Sequence, residues 1–183
     1  MNRNDQFERF KIIKVSTNKV VTNVYMDSFP IEKVRFQNVQ YETKLSIDTY
    51  LDFSQVALLA SDAASGRLFK QIEATNNHQL IIQMAGTKKS KNYDGQPESR
   101  ILSLGMSGDK IFINMSAGPG KLSQTGAIMP NGTPDRKVSV GMTIDDFRRM
   151  MVYTHDCVNA YLSSMIPQLV FESEQNRATN YQN

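Results

Sequence analysis

The sequence has 183 residues, of which 40% are hydrophobic and 21% are charged, and its formal net charge is +3 at pH 7. This length and composition suffice for the core of one globular domain, and so small a net charge permits a polyanionic partner without requiring one. The single cysteine, Cys157, excludes a disulfide framework within one chain and fits a reducing compartment.

The sequence indicates one cytoplasmic domain. Charged residues occupy the N-terminus, where a signal peptide needs an apolar run. No apolar segment approaches the roughly 20 residues that span a bilayer. We therefore expect a soluble chain with no membrane contact, a single domain over residues 1–170 and a polar, flexible tail over residues 171–183.

The first quarter of the chain is patterned for strands. Residues 1–30 mix basic and β-branched side chains, which is typical of a strand or of a partly ordered arm. Residues 31–42 and 44–52 alternate apolar and polar side chains with period two, and each run predicts a strand.

A helix and another strand follow. Residues 53–73 have helical spacing of their apolar side chains, with Asp52 or Ser54 as a possible cap and Gly66 as a break or kink. Residues 77–86 alternate again, and this alternation predicts three inward side chains, Leu80, Ile82 and Met84.

Residues 110–116, KIFINMS, alternate most clearly of all. Three apolar side chains share one face, and four others share the opposite face: Lys110, Phe112, Asn114 and Ser116. The second face is polar except for Phe112. A phenyl ring on a wet sheet face suggests a surface on which a flat partner stacks.

The last third of the chain predicts a hairpin and a long helix. Strands are expected around residues 121–128 and 136–142, with a turn at residues 130–132. Thr143 and Asp146 form a variant of the capping box. An amphipathic helix of about six turns follows, and Pro167 is predicted to end it.

Strands, a helix, more strands and a final helix predict an α+β fold with an antiparallel sheet. Helices would cover one face of the sheet, and the other face would be free to meet a partner. Lysines and tyrosines also recur in the loop that follows residue 87. Eight basic and four acidic residues lie between Gly86 and Lys137, so the positive excess is concentrated in this half.

Cations with interleaved aromatic rings suit single-stranded nucleic acid, because cations neutralise phosphates and rings stack on unpaired bases. The stacking candidates are Tyr50, Tyr93 and Phe112. The candidate phosphate-binding residues are Lys33, Arg35, Lys88, Lys89, Lys91, Arg100, Lys110, Lys121, Arg136 and Lys137. The alternative is an ordinary solvated face, with Phe112 packed under a loop or against a neighbouring subunit.

The sequence does not match the enzyme motifs that it superficially suggests, and we expect no catalytic residue, no metal site and no cofactor. The glycine-rich stretch after residue 116 has Met115 and Leu122 where a phosphate-binding loop needs glycine and Ser or Thr. Asp145 and Asp146 suit the first turn of a helix, where they complement the helix dipole. Two histidines and one cysteine do not make a zinc set.

Three blocks carry a resemblance to a known family: YLDFSQVALLASDAASGRLFKQI, PESRILSLGMSGDKIFINMSAGPGKLSQTGAIMPNG and VSVGMTIDDFRRMMVYTHDCVNAYLSSM. Over roughly residues 45–166 the chain resembles the small single-stranded DNA-binding proteins of lactococcal and related phages. That family is similar to Whirly-type proteins. The lysine–glycine motif of plant Whirly proteins is absent, and no individual binding residue is carried over.

The resemblance implies strongly curved antiparallel sheets with two helices at the sheet ends. The implied order of elements is four strands followed by a helix, and this order occurs twice. The first four strands would then include residues 11–15 and 19–25. It also implies homo-oligomers, dimers or larger, that bind single strands regardless of sequence during phage DNA replication or recombination. The location would be the host cytoplasm, and phage or host recombination proteins are further possible partners.

We therefore expect a non-enzymatic protein that coats and protects single-stranded DNA as a homo-oligomer. A protein-interaction or scaffold protein and a strand-annealing recombination mediator remain as alternatives. An oligonucleotide-binding barrel would perform the same function on another fold, but the long C-terminal helix argues against it.

Overall fold

The structure is a computed structural model that describes residues 10–180. The ends of the expected domain and of the expected tail, residues 1–9 and 181–183, lie outside the described residues. In the first half, four strands precede two helices: β1 (Lys11–Ser16), β2 (Val20–Tyr25), β3 (Lys33–Gln40), β4 (Leu45–Asp52), α1 (Phe53–Ser65) and α2 (Arg67–Glu73). In the second half, five strands precede one helix: β5 (Gln79–Thr87), β6 (Glu98–Ser107), β7 (Lys110–Leu122), β8 (Ile128–Pro130), β9 (Arg136–Thr143) and α3 (Ile144–Asn180).

The strands form two curved antiparallel sheets. The first sheet has the order β1-β2-β3-β4, and the second has the order β5-β6-β7-β9, with β8 paired to the far end of β7. The α+β class is therefore confirmed, and the strands expected within residues 11–25 are present as β1 and β2.

The two sheets and the three helices share one hydrophobic core. Buried side chains of β2, β3 and β4 contact those of β6, β7 and β9, and α1 packs against α3. Phe29, Phe53 and Tyr161 meet edge to face where α3 passes the first sheet. A single sheet with one free face, which the strand order alone suggested, is wrong, because two inner sheet faces bury each other.

Alternation correctly assigned the faces of β7. Ile111, Ile113 and Met115 are almost completely buried, while Phe112 and Asn114 are half-buried on the opposite face. In β5 the same argument holds for Leu80 and Ile82, which pack against the core, but it fails after the middle of the strand. The register shifts between Ile81 and Gln83, and this irregularity reverses the alternation. Met84, predicted to face inward, is 50% exposed.

The strand predicted over residues 121–128 is a hairpin instead. Strand β7 ends at Leu122, and Ser123 donates its backbone N–H to the carbonyl of Ala127 across a turn. Gly126 in that turn has a φ of 78°, a conformation that costs glycine little. Strand β8 then leads through the expected turn at residues 130–132 into β9.

The helix boundaries follow from local chemistry. At the start of α1, the Gln55 side chain accepts the backbone N–H of Asp52 at 3.0 Å. Gly66, with φ 78°, ends α1. At the start of α3, the Thr143 hydroxyl accepts the backbone N–H of Asp146 at 3.1 Å and donates to its carboxylate at 2.7 Å.

The prediction that Pro167 ends the last helix is wrong. Helix α3 continues through Pro167 to Asn180, so residues 171–180 are helical. Proline removes one backbone hydrogen bond and disfavours a helix without forbidding it. Beyond the proline, Gln168 donates to Glu172 one turn later at 3.0 Å, which supports the helical conformation.

One buried amide joins the two sheets. Asn38 of β3 is fully buried, and its Nδ2 donates to the carbonyl of Ile113 at 2.8 Å and to that of Val138 at 3.2 Å. Its Oδ1 accepts from the hydroxyl of Thr22 on β2 at 2.7 Å. Asn38 therefore connects its own strand, β3, to three others: β2, β7 and β9.

We expect Asn38→Ala to lower the free energy of unfolding by about 2 kcal/mol, because the Thr22 hydroxyl and two carbonyls lose a buried partner. Chemical denaturation at pH 7 measures this loss. The control is Ser46→Ala, at an exposed position of β4, with an expected change within about 0.5 kcal/mol. An Asn38 variant as stable as the wild type would contradict the role of the amide.

Candidate nucleic-acid interface

The residues predicted to bind nucleic acid do not form one surface, although Arg35 and Tyr50 stand opposite each other on neighbouring strands of the first sheet. Lys33 and Arg35 lie on the outer face of the first sheet. A second group lines a cleft between the sheets: Tyr50, Lys89, Lys91 and Arg100. Phe112 and Lys137 line a groove on the outer face of the second sheet. Lys110 and Lys121 are exposed near opposite ends of β7 and line neither of these two cavities.

On the first sheet, both cations are already neutralised. Arg35 is only 8% exposed, and its guanidinium binds Asp27 at 2.6 Å and Asp48 at 3.3 Å. Burial alone would lower the pKa of Arg35, but the bond and charge of Asp27 and the charge of Asp48 raise it. The guanidinium also lies 4.0 Å from the ring centre of Tyr25. Lys33 pairs with Asp52 at 2.5 Å.

Alternation correctly separated Arg35 from the apolar face of β3, but it did not predict that two carboxylates bind the guanidinium. The carboxylates that hold it come from a turn before the strand and from the neighbouring strand, and a pattern within β3 carries no information about either. Arg35 therefore builds the first sheet's outer face and offers little charge to a partner.

The inter-sheet cleft is a cavity of about 580 Å³ between β4 of the first sheet and β5 and β6 of the second. Tyr50 of β4 and Arg100 of β6 face it from the two sheets, and the loop after β5 contributes Lys89 and Lys91. Arg100 spans the two sheets, since its Nη1 donates to the carbonyl of Asp48 at 3.2 Å. Burial, followed by the charge of Asp48, raises the pKa of Tyr50, so its phenol is neutral at physiological pH.

The lysines of the loop are the accessible cations of this region. Lys88, Lys89 and Lys91 are exposed, and none of them has a carboxylate partner within residues 10–180. Ammonium groups on flexible stems can follow the phosphates of a mobile strand. The cleft continues beside Lys44 and Arg136, so the positive lining extends past the loop.

A buried carboxylate organises the cleft. Glu98, the first residue of β6, is 1% exposed and accepts hydrogen bonds from the Ser90 hydroxyl, from Asn92 Nδ2 at 3.0 Å and from Arg100 Nε at 2.8 Å. Arg136 of β9 lies 3.2 Å from the same carboxylate. Burial alone would raise the pKa of Glu98, but these hydrogen bonds outweigh it and lower the pKa from 4.5 to about 2.

Sequence reasoning missed Glu98 as a member of the site. The available signal was its spacing from Arg100, because residues i and i+2 of a strand point to the same face. No sequence pattern predicts the hydrogen bonds from Ser90 and Asn92, since they depend on how the loop folds back onto β6. Glu98 thus fixes the loop that carries the lysines and the direction of two arginines.

Tyr93 is held beside the cleft rather than free to stack on both faces. Its hydroxyl donates to Asp135 at 2.6 Å, and the guanidinium of Arg136 lies 5.4 Å from its ring centre. Burial and then the bond to Asp135 raise its pKa. Arg136 therefore covers one face of the Tyr93 ring. Tyr50, not Tyr93, is the aromatic side chain that lines the cleft.

The groove on the second sheet, called the outer groove below, has a volume of about 600 Å³. It contains Phe112 and, at its side, the exposed Lys137 of β9. The ring of Phe112 is half-buried because it lies on Gly141. A Cβ atom at position 141 would stand 2.8 Å from the ring.

The low pKa of Glu98 predicts a specific acid sensitivity. Its ionised form contributes about 3 kcal/mol to the free energy of unfolding above pH 4.5, and this contribution is lost as the pH falls towards 2. The stability difference between wild type and Glu98→Gln should therefore shrink by about 3 kcal/mol between pH 6 and pH 2. Denaturant titrations at each pH measure it.

The internal control is the range from pH 6 to pH 8, where Glu98 is ionised in both the folded and the unfolded state. There the difference between wild type and variant should be constant. Parallel stability curves across the acid range would show that the carboxylate is not held by the loop and the arginines.

The remaining observations do not identify a cofactor or a relative. Across residues 10–180, no group of three His, Cys, Asp or Glu side chains is placed to hold a metal ion. None of the helices in this described range has the length and apolar content of a membrane span. No protein-family model matches the chain, and the comparison with curated proteins gave no match.

Proposed function

We propose that this protein binds single-stranded DNA without catalysing a reaction, and that the inter-sheet cleft holds the strand. One observation carries the proposal. Three separate parts of the chain bring a tyrosine ring, an arginine and two lysines to one open cavity, and the residues are Tyr50, Lys89, Lys91 and Arg100. Neither lysine has a carboxylate partner among residues 10–180.

The chemistry favours a single strand over a duplex. Lysines and arginines bind phosphates of either form, but a ring gains stacking energy only from an unpaired base, at about 1–3 kcal/mol per base. Tyr50 is half-buried at the cleft wall and its phenol is neutral, so it offers a flat, uncharged surface. Phosphate contacts carry no sequence information, and affinity through the cleft should be largely indifferent to sequence.

A homo-oligomer is part of the proposal, and α3 supports it. Beyond Tyr161, three exposed apolar side chains follow one another at four-residue steps along one side of the helix: Leu162, Ile166 and Val170. Residues 157–171 contain no charged side chain, so two copies of this stripe can meet without repulsion. Joining several clefts in this way would convert weak contacts with one strand into a tight combined hold.

The biological role rests on the resemblance of the three sequence blocks to phage single-stranded DNA-binding proteins. The proposed role is to coat and protect single strands in phage DNA replication or recombination. The topology of the two halves, strands followed by helix in each, is compatible with a Whirly-like fold.

The first test is fluorescence anisotropy with a labelled oligothymidine at several salt concentrations. We expect affinity to fall steeply with salt, and a duplex to compete poorly. The double variant Lys89→Ala/Lys91→Ala should bind more weakly. The slope of log affinity against log salt concentration should be less steep by about 1.4, since each phosphate contact on a single strand contributes about 0.7 to that slope.

The matched control is Lys70→Ala, which removes an exposed lysine of α2 and should change neither affinity nor slope. Failure of the oligothymidine to bind at low salt would refute the proposed function. Equal salt slopes for the wild type and the double variant would show that the strand does not bind in the inter-sheet cleft.

Self-association has its own test. Ile166→Glu places a charge in the apolar stripe and should reduce the assembly to monomers, as measured by light scattering after size-exclusion chromatography. Ala160→Glu adds the same charge at an exposed position of α3 away from the stripe and should leave the assembly intact. A wild-type protein that elutes as a monomer at all concentrations would contradict this part of the proposal.

A further inference from the structure

The outer groove differs in chemistry from the inter-sheet cleft. Its apolar walls include Phe112, Ile81 and Ile101, and its polar lining is mostly amides and hydroxyls. Among the described residues that line it, Lys137 is the only lysine or arginine, and no carboxylate is present. A groove of about 600 Å³ with apolar walls and a few polar groups resembles a ligand pocket more than a track for phosphates.

The floor of the outer groove is flat because of two glycines. In the strand register, Phe112 stands between Gly105 of β6 and Gly141 of β9. A Cβ atom would stand 2.8 Å from the Phe112 ring at position 141 and 3.2 Å from Asn114 Nδ2 at position 105. Both side chains therefore lie low across the neighbouring strands, and the ring forms a surface on which another ring can rest.

Three side chains of the outer groove keep a proton that they can donate to a ligand. Asn114 Oδ1 accepts from the Ser139 hydroxyl at 2.6 Å, while Asn114 Nδ2 has no hydrogen-bond partner within residues 10–180. The Ser103 hydroxyl accepts from Gln79 Nε2 at 2.7 Å, which leaves its own proton to donate. Lys137 adds a third donor that has no carboxylate partner in the described range.

We infer that the outer groove holds one unpaired base of the bound strand, stacked on Phe112, and that Asn114 Nδ2 donates to a keto oxygen of that base. This inference rests on the proposed function and adds a base preference to it. Thymine, uracil and guanine carry a keto oxygen where cytosine and adenine carry an amino group. Asn114 Nδ2 satisfies the keto oxygen of the first group of bases, whereas the amino group of cytosine or adenine would face it as a second donor.

The test compares labelled oligodeoxyuridine and oligodeoxycytidine of equal length by anisotropy. The two strands have the same charge and the same ring size, and they differ at the keto or amino group and the adjacent ring nitrogen. Wild-type protein should bind the uridine strand about threefold to tenfold more tightly, which is the range expected for one net hydrogen bond.

The diagnostic variant is Asn114→Asp, because a carboxylate can still accept from Ser139 but offers an acceptor to the base in place of the donor. The ratio of uridine to cytidine affinity should fall to one or below. The control, Asn18→Asp, adds the same charge in the exposed turn between β1 and β2 and should leave the ratio unchanged. Phe112→Leu should weaken binding of both strands about equally, since it removes only stacking.

The outcomes separate this inference from the proposed function. Salt-sensitive binding with equal affinity for the two strands would overturn the base site and leave the proposed function in place. An Asn114 variant with the wild-type ratio would also overturn it, as would a Phe112 variant that changes oligomer mass but not DNA affinity. No binding of either strand would refute both.

Discussion

The packing of the two sheets depends on a buried amide as well as on apolar contact. Asn38 of β3 reaches from the first sheet to two carbonyls of the second and is itself held by Thr22. The attraction between apolar side chains has no preferred direction, whereas an amide that must satisfy two fixed carbonyls has one favourable position. Asn38 therefore contributes a directional constraint to the relative placement of the sheets. That placement in turn decides which strand faces are covered and where the sheets separate to leave the inter-sheet cleft.

Sequence patterns predicted most strands because each pattern is local. The alternation of residues 110–116 assigned both faces of β7 correctly, and the capping pairs located the starts of α1 and α3. The failures occur where a distant or unpatterned feature decides the outcome. The irregularity in β5 reversed the face of Met84, and Pro167 did not stop α3. Asn38 and Phe36 are two residues apart in β3, so alternation places both on the inward face. The sequence does not predict which carbonyls Asn38 binds.

The candidate cations divide by residue type, and alternation could not predict this division. The three arginines among them, Arg35, Arg100 and Arg136, all bind carboxylates, because the planar guanidinium suits fixed, bidentate bonding within a folded protein. The lysines, apart from Lys33, extend into solvent without such partners in the described range. The arginines thus shape the surfaces, and the lysines supply the charge that a partner can reach.

The bonds from Ser90 and Asn92 to Glu98 bear on the thermodynamics of any association at the inter-sheet cleft. A free loop of this length would lose conformational entropy when a ligand ordered it, and that loss would be subtracted from the affinity. Here the loop is anchored to a buried carboxylate before any ligand arrives. The ammonium groups of Lys89 and Lys91 are thus carried on a backbone that is already ordered, and a polyanion entering the cleft restricts little more than their side-chain torsions.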